Sequence, residues 1–216
     1  MIRALFGTFM MAGAVASLAA CAHLSPSNPM PPLSPTASDA PGRSPSPGSS
    51  PSPSPSPSDA GQCLGLDSKT TVIVAMSLAI APTDAPNYGT INGYTIANPT
   101  TGTFGNVATV ITSKTTDVVQ FANADYGATP INHSAVGLPN APGFPAPPYA
   151  FPPDVRQPIS SQITQSQWST GLVAEPTGSG ACFSQPFTLP SPGTYYFGDF
   201  NYYNVSDMRD VIVVSK

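Results

Sequence analysis

The chain has 216 residues, of which only 8% are charged, and its formal net charge is −4 at pH 7. Seven Lys and Arg with no basic cluster cannot displace the counterions of a phosphate backbone, so nucleic acid is excluded as a partner. The 28 prolines are spread unevenly, and their distribution divides the chain into three parts.

Residues 1–21 carry a positive charge at Arg3, an apolar run from Ala4 to Ala20, and then Leu18-Ala19-Ala20-Cys21. This is the layout of a secretory signal with a small-residue cleavage site, too short to favour a permanent membrane span. Leu-Ala-Ala-Cys also resembles the bacterial lipobox. That resemblance implies cleavage before Cys21, lipid on its sulfur and new amino terminus, and a protein held on a membrane surface without crossing it. Residues 22–60 shift to proline and serine and end in PGSSPSPSPSPSD, with almost no apolar side chain to offset the entropy of ordering. They read as a disordered tether whose polyproline geometry, at about 3.1 Å per residue, could reach on the order of 100 Å. Proline-rich stretches can also be ligands for aromatic grooves; beside an anchor, a spacer is the simpler reading.

Residues 61–216 are the right length for one domain with its own core. They hold Cys63 and Cys182, an even pair that an oxidising exported compartment would link, whereas Cys21 would be consumed by lipid. Short β-branched runs separated by Gly, Pro, Asn and Asp predict an all-β domain, a Greek-key antiparallel β-sandwich. The predicted strands cover residues 70–81, 88–97 with a turn at Asn92-Gly93, 107–112, 117–123, 135–137, 184–189, 193–200 and 211–214. No Gly-x-Ser-x-Gly, phosphate loop or zinc-ligand pair accompanies them, so the chain does not read as an enzyme.

Three pieces, in order, resemble the cupredoxins, the blue-copper proteins. The first is VATVITSKTTDVVQFANAD, ending in Phe121-x-Asn123-x-Asp125. The second is Asn132-His133-Ser134-Ala135-Val136, similar to the family's first ligand histidine entering a strand. The third runs from Trp168 to PGTYYFGDFNYYNVSDMRDVIVV, where the family has Tyr-x-Phe-x-Cys, a loop histidine, and Met before the last strand. The resemblance implies a cupredoxin-like sandwich and a copper site, in which His133 stands for the first histidine and Met208 for the axial ligand. It also puts Asp199 at the cysteine and leaves Asn201, Tyr202, Tyr203 and Asn204 where a second histidine belongs. A blue-copper centre needs a thiolate and two imidazoles, and the chain's only histidines are His23 and His133.

The reading that follows is a lipid-anchored cupredoxin-like protein of the cell envelope. It has lost the blue-copper centre, holds no cofactor, and serves as a binding or structural module for an envelope protein or glycan. The alternative is a copper-binding redox protein with an altered site of His133, Asp199 and Met208. If copper is absent, His133 and Asp199 should still share one small space, satisfying each other as donor and acceptor.

Overall fold

The computed structural model describes residues 60–216 apart from 128, 178 and 179. The expected signal segment, Cys21 and the tether up to residue 59 lie outside the described residues. Strands β1 (Val72–Met76), β2 (Thr83–Ala85), β3 (Gly89–Ile91), β4 (Tyr94–Ala97), β5 (Ile111–Lys114) and β6 (Val118–Asn123) come first. After them come β7 (Val136–Gly137), a 3-10 turn (Pro153–Arg156), β8 (Pro158–Ile159), β9 (Ser169–Thr170), β10 (Cys182–Phe183) and β11 (Phe187–Thr188). The chain closes with β12 (Gly193–Gly198), the one-turn helix α1 (Tyr203–Ser206) and β13 (Arg209–Ser215).

Two sheets form the sandwich. One has the order β10-β6-β1-β4, with β11 also on β6, and the other β5-β13-β12-β7-β9-β8. The all-β sandwich is therefore as expected, although its pairing is mixed, because β1 with β6 and β5 with β13 run parallel. Alternation along the strands sorts the side chains: Val74, Met76, Val119 and Phe121 meet Tyr195, Phe197, Ile212 and Val214 across one apolar core. Phe121, Trp168, Phe187 and Phe197 pack there as tilted and edge-to-face rings 5.6–6.0 Å apart. The indole needs a glycine opposite it, since a Cβ at Gly137 would stand 2.2 Å from Trp168 Nε1.

Where strand boundaries differ from expectation, a local partner explains it. Over 88–97 the turn expected at Asn92-Gly93 is present, with Gly93 at φ +81°. Consequently β3 pairs with β2 in a hairpin, whereas β4 joins β1 in the first sheet. The strand expected at 107–112 begins only at Ile111, because the backbone of Val107 and Ala108 is engaged with Ala81 instead. Strands β2, β8, β9 and β10 were not anticipated; they are two or three residues long and too short to show a period.

Cys63 and Cys182 form the expected disulfide across 119 residues. It fastens the entering chain beside β10, where Leu64 and Phe183 exchange backbone hydrogen bonds of 3.1 Å. Removing the bridge with the pair Cys63→Ser and Cys182→Ser is expected to cost about 2–5 kcal/mol in chemical denaturation. An unchanged unfolding midpoint would contradict that.

Candidate functional site

The site lies where β6, β7 and β12 end together. Tyr195 and Phe197 of β12 point into the core, and Asp199, two residues on, continues that face just past the strand's last residue, fully buried. It could not stay there without donors. Its Oδ1 accepts the backbone N–H groups of Asn201 (2.7 Å) and Tyr202 (3.0 Å), which shapes the turn into α1. Its Oδ2 accepts the N–H of Ser134 at 2.7 Å and faces His133 Nδ1 at 3.1 Å. Gly198 lets α1 close over this end, because a Cβ there would lie 2.3 Å from the Tyr203 ring.

His133 is held by its backbone, which exchanges hydrogen bonds with Val173 (3.1 and 2.7 Å). Its side chain is wholly buried, with the Tyr202 ring 5.2 Å away. The second ring nitrogen, Nε2, lies 2.8 Å from Asp125 Oδ2. That carboxylate also accepts from Ser77 Oγ and, at 3.1 Å, from the N–H of Leu78. Asn123 braces the same stretch: its Nδ2 donates to Ile131 O (2.7 Å) and Val173 O (3.0 Å), and its Oδ1 accepts from Asp125 N (3.0 Å). The Phe121-x-Asn123-x-Asp125 segment thus supplies the third member of the site. Sequence reasoning quoted it as a motif but gave Asp125 no role. The signal for it in the sequence is that an imidazole has two nitrogens to satisfy, and Asp199 satisfies only one of them.

Three of the expected site residues can now be placed. His133 and Asp199 meet, as the sequence predicts. Met208 is fully buried in the core, with its side chain filling the space at Gly93, where a Cβ would come within 2.4 Å of Met208 Cγ.

Burial opposes charge on His133, but hydrogen bonding and Coulomb attraction from Asp125 and Asp199 override it and raise its pKa from 6.5 to about 9. Burial likewise pushes the Asp125 carboxyl up, and the bonds from His133, Ser77 and Leu78 outweigh that and lower it below its ordinary value. The histidine's contribution to stability is complete below about pH 6.5, its unfolded pKa, and is lost as pH rises through about 9. That of Asp125 is present above its unfolded pKa and lost as pH falls through the folded one. Asp199→Asn is therefore expected to lower the NMR-titrated pKa of His133; an unchanged titration would mean the two do not interact.

The donor set does not fit a blue-copper centre. The thiolate position is Asp199, no second imidazole exists in the domain, and both nitrogens of the one present are engaged. The two carboxylates face opposite ring nitrogens, so they cannot join the imidazole around a single ion. Among the described residues no group of three or more His, Cys, Asp or Glu is arranged to hold a metal. General-base chemistry is equally disfavoured, since an imidazolium donating both N–H groups has no lone pair to offer.

No family model matches the chain. No curated protein matches it either. Among solved structures it is similar to rusticyanin from Thiobacillus ferrooxidans, with 20% identity over 72% of this chain and 84% of that one, at a TM-score of 0.32. It is also similar to auracyanin B, with 15% identity over 72% of this chain and 95% of that one, at a TM-score of 0.35. The likeness concerns fold alone.

Proposed function

We propose that this chain is a lipid-anchored protein of the cell envelope whose cupredoxin-like domain is a binding or structural module, not an electron carrier or an enzyme. The observation that carries the reading is the engagement of both His133 nitrogens, by Asp199 at 3.1 Å and Asp125 at 2.8 Å. An ion-paired cluster occupies the positions where the resemblance implies a metal. It locks three strand ends to one another and uses up the donors that copper would require. Anchoring rests on the Leu18-Ala19-Ala20-Cys21 pattern and is tested by mass: the exported protein should begin at Cys21 and carry acyl chains.

Titration with Cu(II), followed by absorption and metal analysis, tests the loss of the copper centre. The expected result is no tight stoichiometric uptake and no intense visible band. Tight binding of one equivalent, abolished in His133→Gln, would overturn the reading in favour of an altered copper site at His133, Asp199 and Met208.

A further inference from the structure

Between β7 and the 3-10 turn the chain runs through residues 138–152, a stretch with six prolines that joins neither sheet. It is nonetheless held in place. Leu138 donates its N–H to Tyr196 O at 2.9 Å, Tyr203 donates its hydroxyl to Pro145 O at 2.6 Å, and the Tyr149 backbone exchanges bonds of 2.7 and 2.9 Å with the Asn204 amide. Phe144 and Tyr196 meet edge-to-face with centroids 5.0 Å apart, and the Arg209 guanidinium lies over the Phe144 ring at 5.0 Å. Because proline also fixes φ, the shape of this stretch is set before anything binds to it. Residues 138–145 and Tyr149 line an open cleft of about 480 Å³, within the usual range of small-ligand sites.

We propose that this cleft binds a neutral sugar, one or a few pyranose units of a glycan. Among the described residues no charged side chain lines it, and a cationic ligand would meet the charge of Arg209 already lying over Phe144. Its hydrogen-bonding groups are unbalanced. Pro139, Pro142 and Pro145 bring carbonyl acceptors without an N–H, and the N–H groups of Leu138, Ala141 and Tyr149 are committed to Tyr196 O, Leu138 O and Asn204 Oδ1. Asn140, Gly143 and Phe144 are left as the sources of backbone donors, against a carbonyl on every lining residue. Such a wall offers too few donors to an anion, and a polyproline ligand, itself rich in acceptors and poor in donors, would leave the carbonyls unpaired. Sugar hydroxyls supply the missing donors. The C–H face of a pyranose suits the negative ring faces of Phe144 and Tyr149, and Asn140 adds an exposed side-chain amide that can both donate and accept. The inference rests on the reading of the domain as a binding module and names its ligand; no lining residue belongs to the His133 cluster, so a copper titration and a sugar titration can fail separately.

The test is amide NMR titration of the chain with cellotriose and with chitotriose, neutral trisaccharides whose equatorial substituents leave flat C–H faces. Saturable shifts are expected at Asn140, Gly143, Phe144 and Tyr149. Tyr149→Ala should weaken binding about tenfold. Asn140→Gly should weaken it by a smaller factor; glycine suits the φ of +52° at this exposed position, so that variant keeps the fold and loses only the amide. Tyr126→Ala removes a 63% exposed ring that lies outside the cleft and should bind as the unaltered chain does. No saturable shift with either sugar at ~10 mM, where even a millimolar site would be occupied, would overturn the proposal. So would unweakened binding in both Tyr149→Ala and Asn140→Gly, or equal shifts with an oligoproline peptide, which would mean a polyproline ligand.

Discussion

His133→Ala is expected to destabilise the domain by about 3–5 kcal/mol, the range for removing one member of a buried ion pair. The size follows from what is left behind. Asp199 is fully buried and has two oxygens arranged for four donors; losing the ring removes, among the described residues, its one side-chain donor and the cation beside it. Asp125 loses its 2.8 Å bond to the ring at the same time. Two carboxylates then face a cavity with no positive charge between them. The loss should shrink as pH rises through about 9, because the wild-type imidazolium deprotonates there and surrenders the same attraction. Denaturant unfolding at pH 6 and pH 10 checks both parts, and a loss that does not depend on pH would refute the charged state of the ring.

Asp210→Val is expected to do the opposite. Asp210 lies opposite Phe197 in the β12–β13 ladder, on the inward face with Met208 and Ile212, and is fully buried. Its Oδ1 accepts the N–H of Val211 at 2.6 Å, but its Oδ2 has no partner. Burial pushes this carboxyl well above the ordinary range, opposed only by the Val211 N–H. The titratable group beside it is Tyr94, whose hydroxyl is committed to Ser134 O at 2.6 Å and so does not relieve it. A group with a raised folded pKa stabilises below its unfolded value and loses that contribution as pH rises through the folded one. Valine removes an unsatisfied polar atom from the core and suits a strand, so it should stabilise by about 1–3 kcal/mol, with a larger gain at pH 8 than at pH 5. A destabilised variant at pH 8 would show that Asp210 has a structural role.

These two aspartates show how far the sequence could be read. Asp199 was legible because Tyr195 and Phe197 set the face, and because the resemblance placed His133 opposite it. Asp210 was not, since in Arg209-Asp210-Val211-Ile212 a single polar residue looks like the outward member of an alternating strand. Only the register with Phe197 turns it inward. Asp125 was hidden for a different reason. It belongs to the loop after β6, where no period predicts direction, and its place is decided by the side chain of Asn123 bonding across to Ile131 and Val173. The long strands were visible through their β-branched residues, while β8, β9 and β10 owe their existence to partners distant in sequence.

The central claim is that an imidazolium clamped by two carboxylates replaces the metal. It is tested most directly by ¹⁵N NMR of the ring in the chain carrying His23→Gln, which leaves His133 as the one histidine. Both nitrogens should have imidazolium shifts at pH 7, titrate together near pH 9, and be unmoved by one equivalent of Cu(II). A neutral single tautomer at pH 7, or a ring signal lost on adding that equivalent, would contradict it.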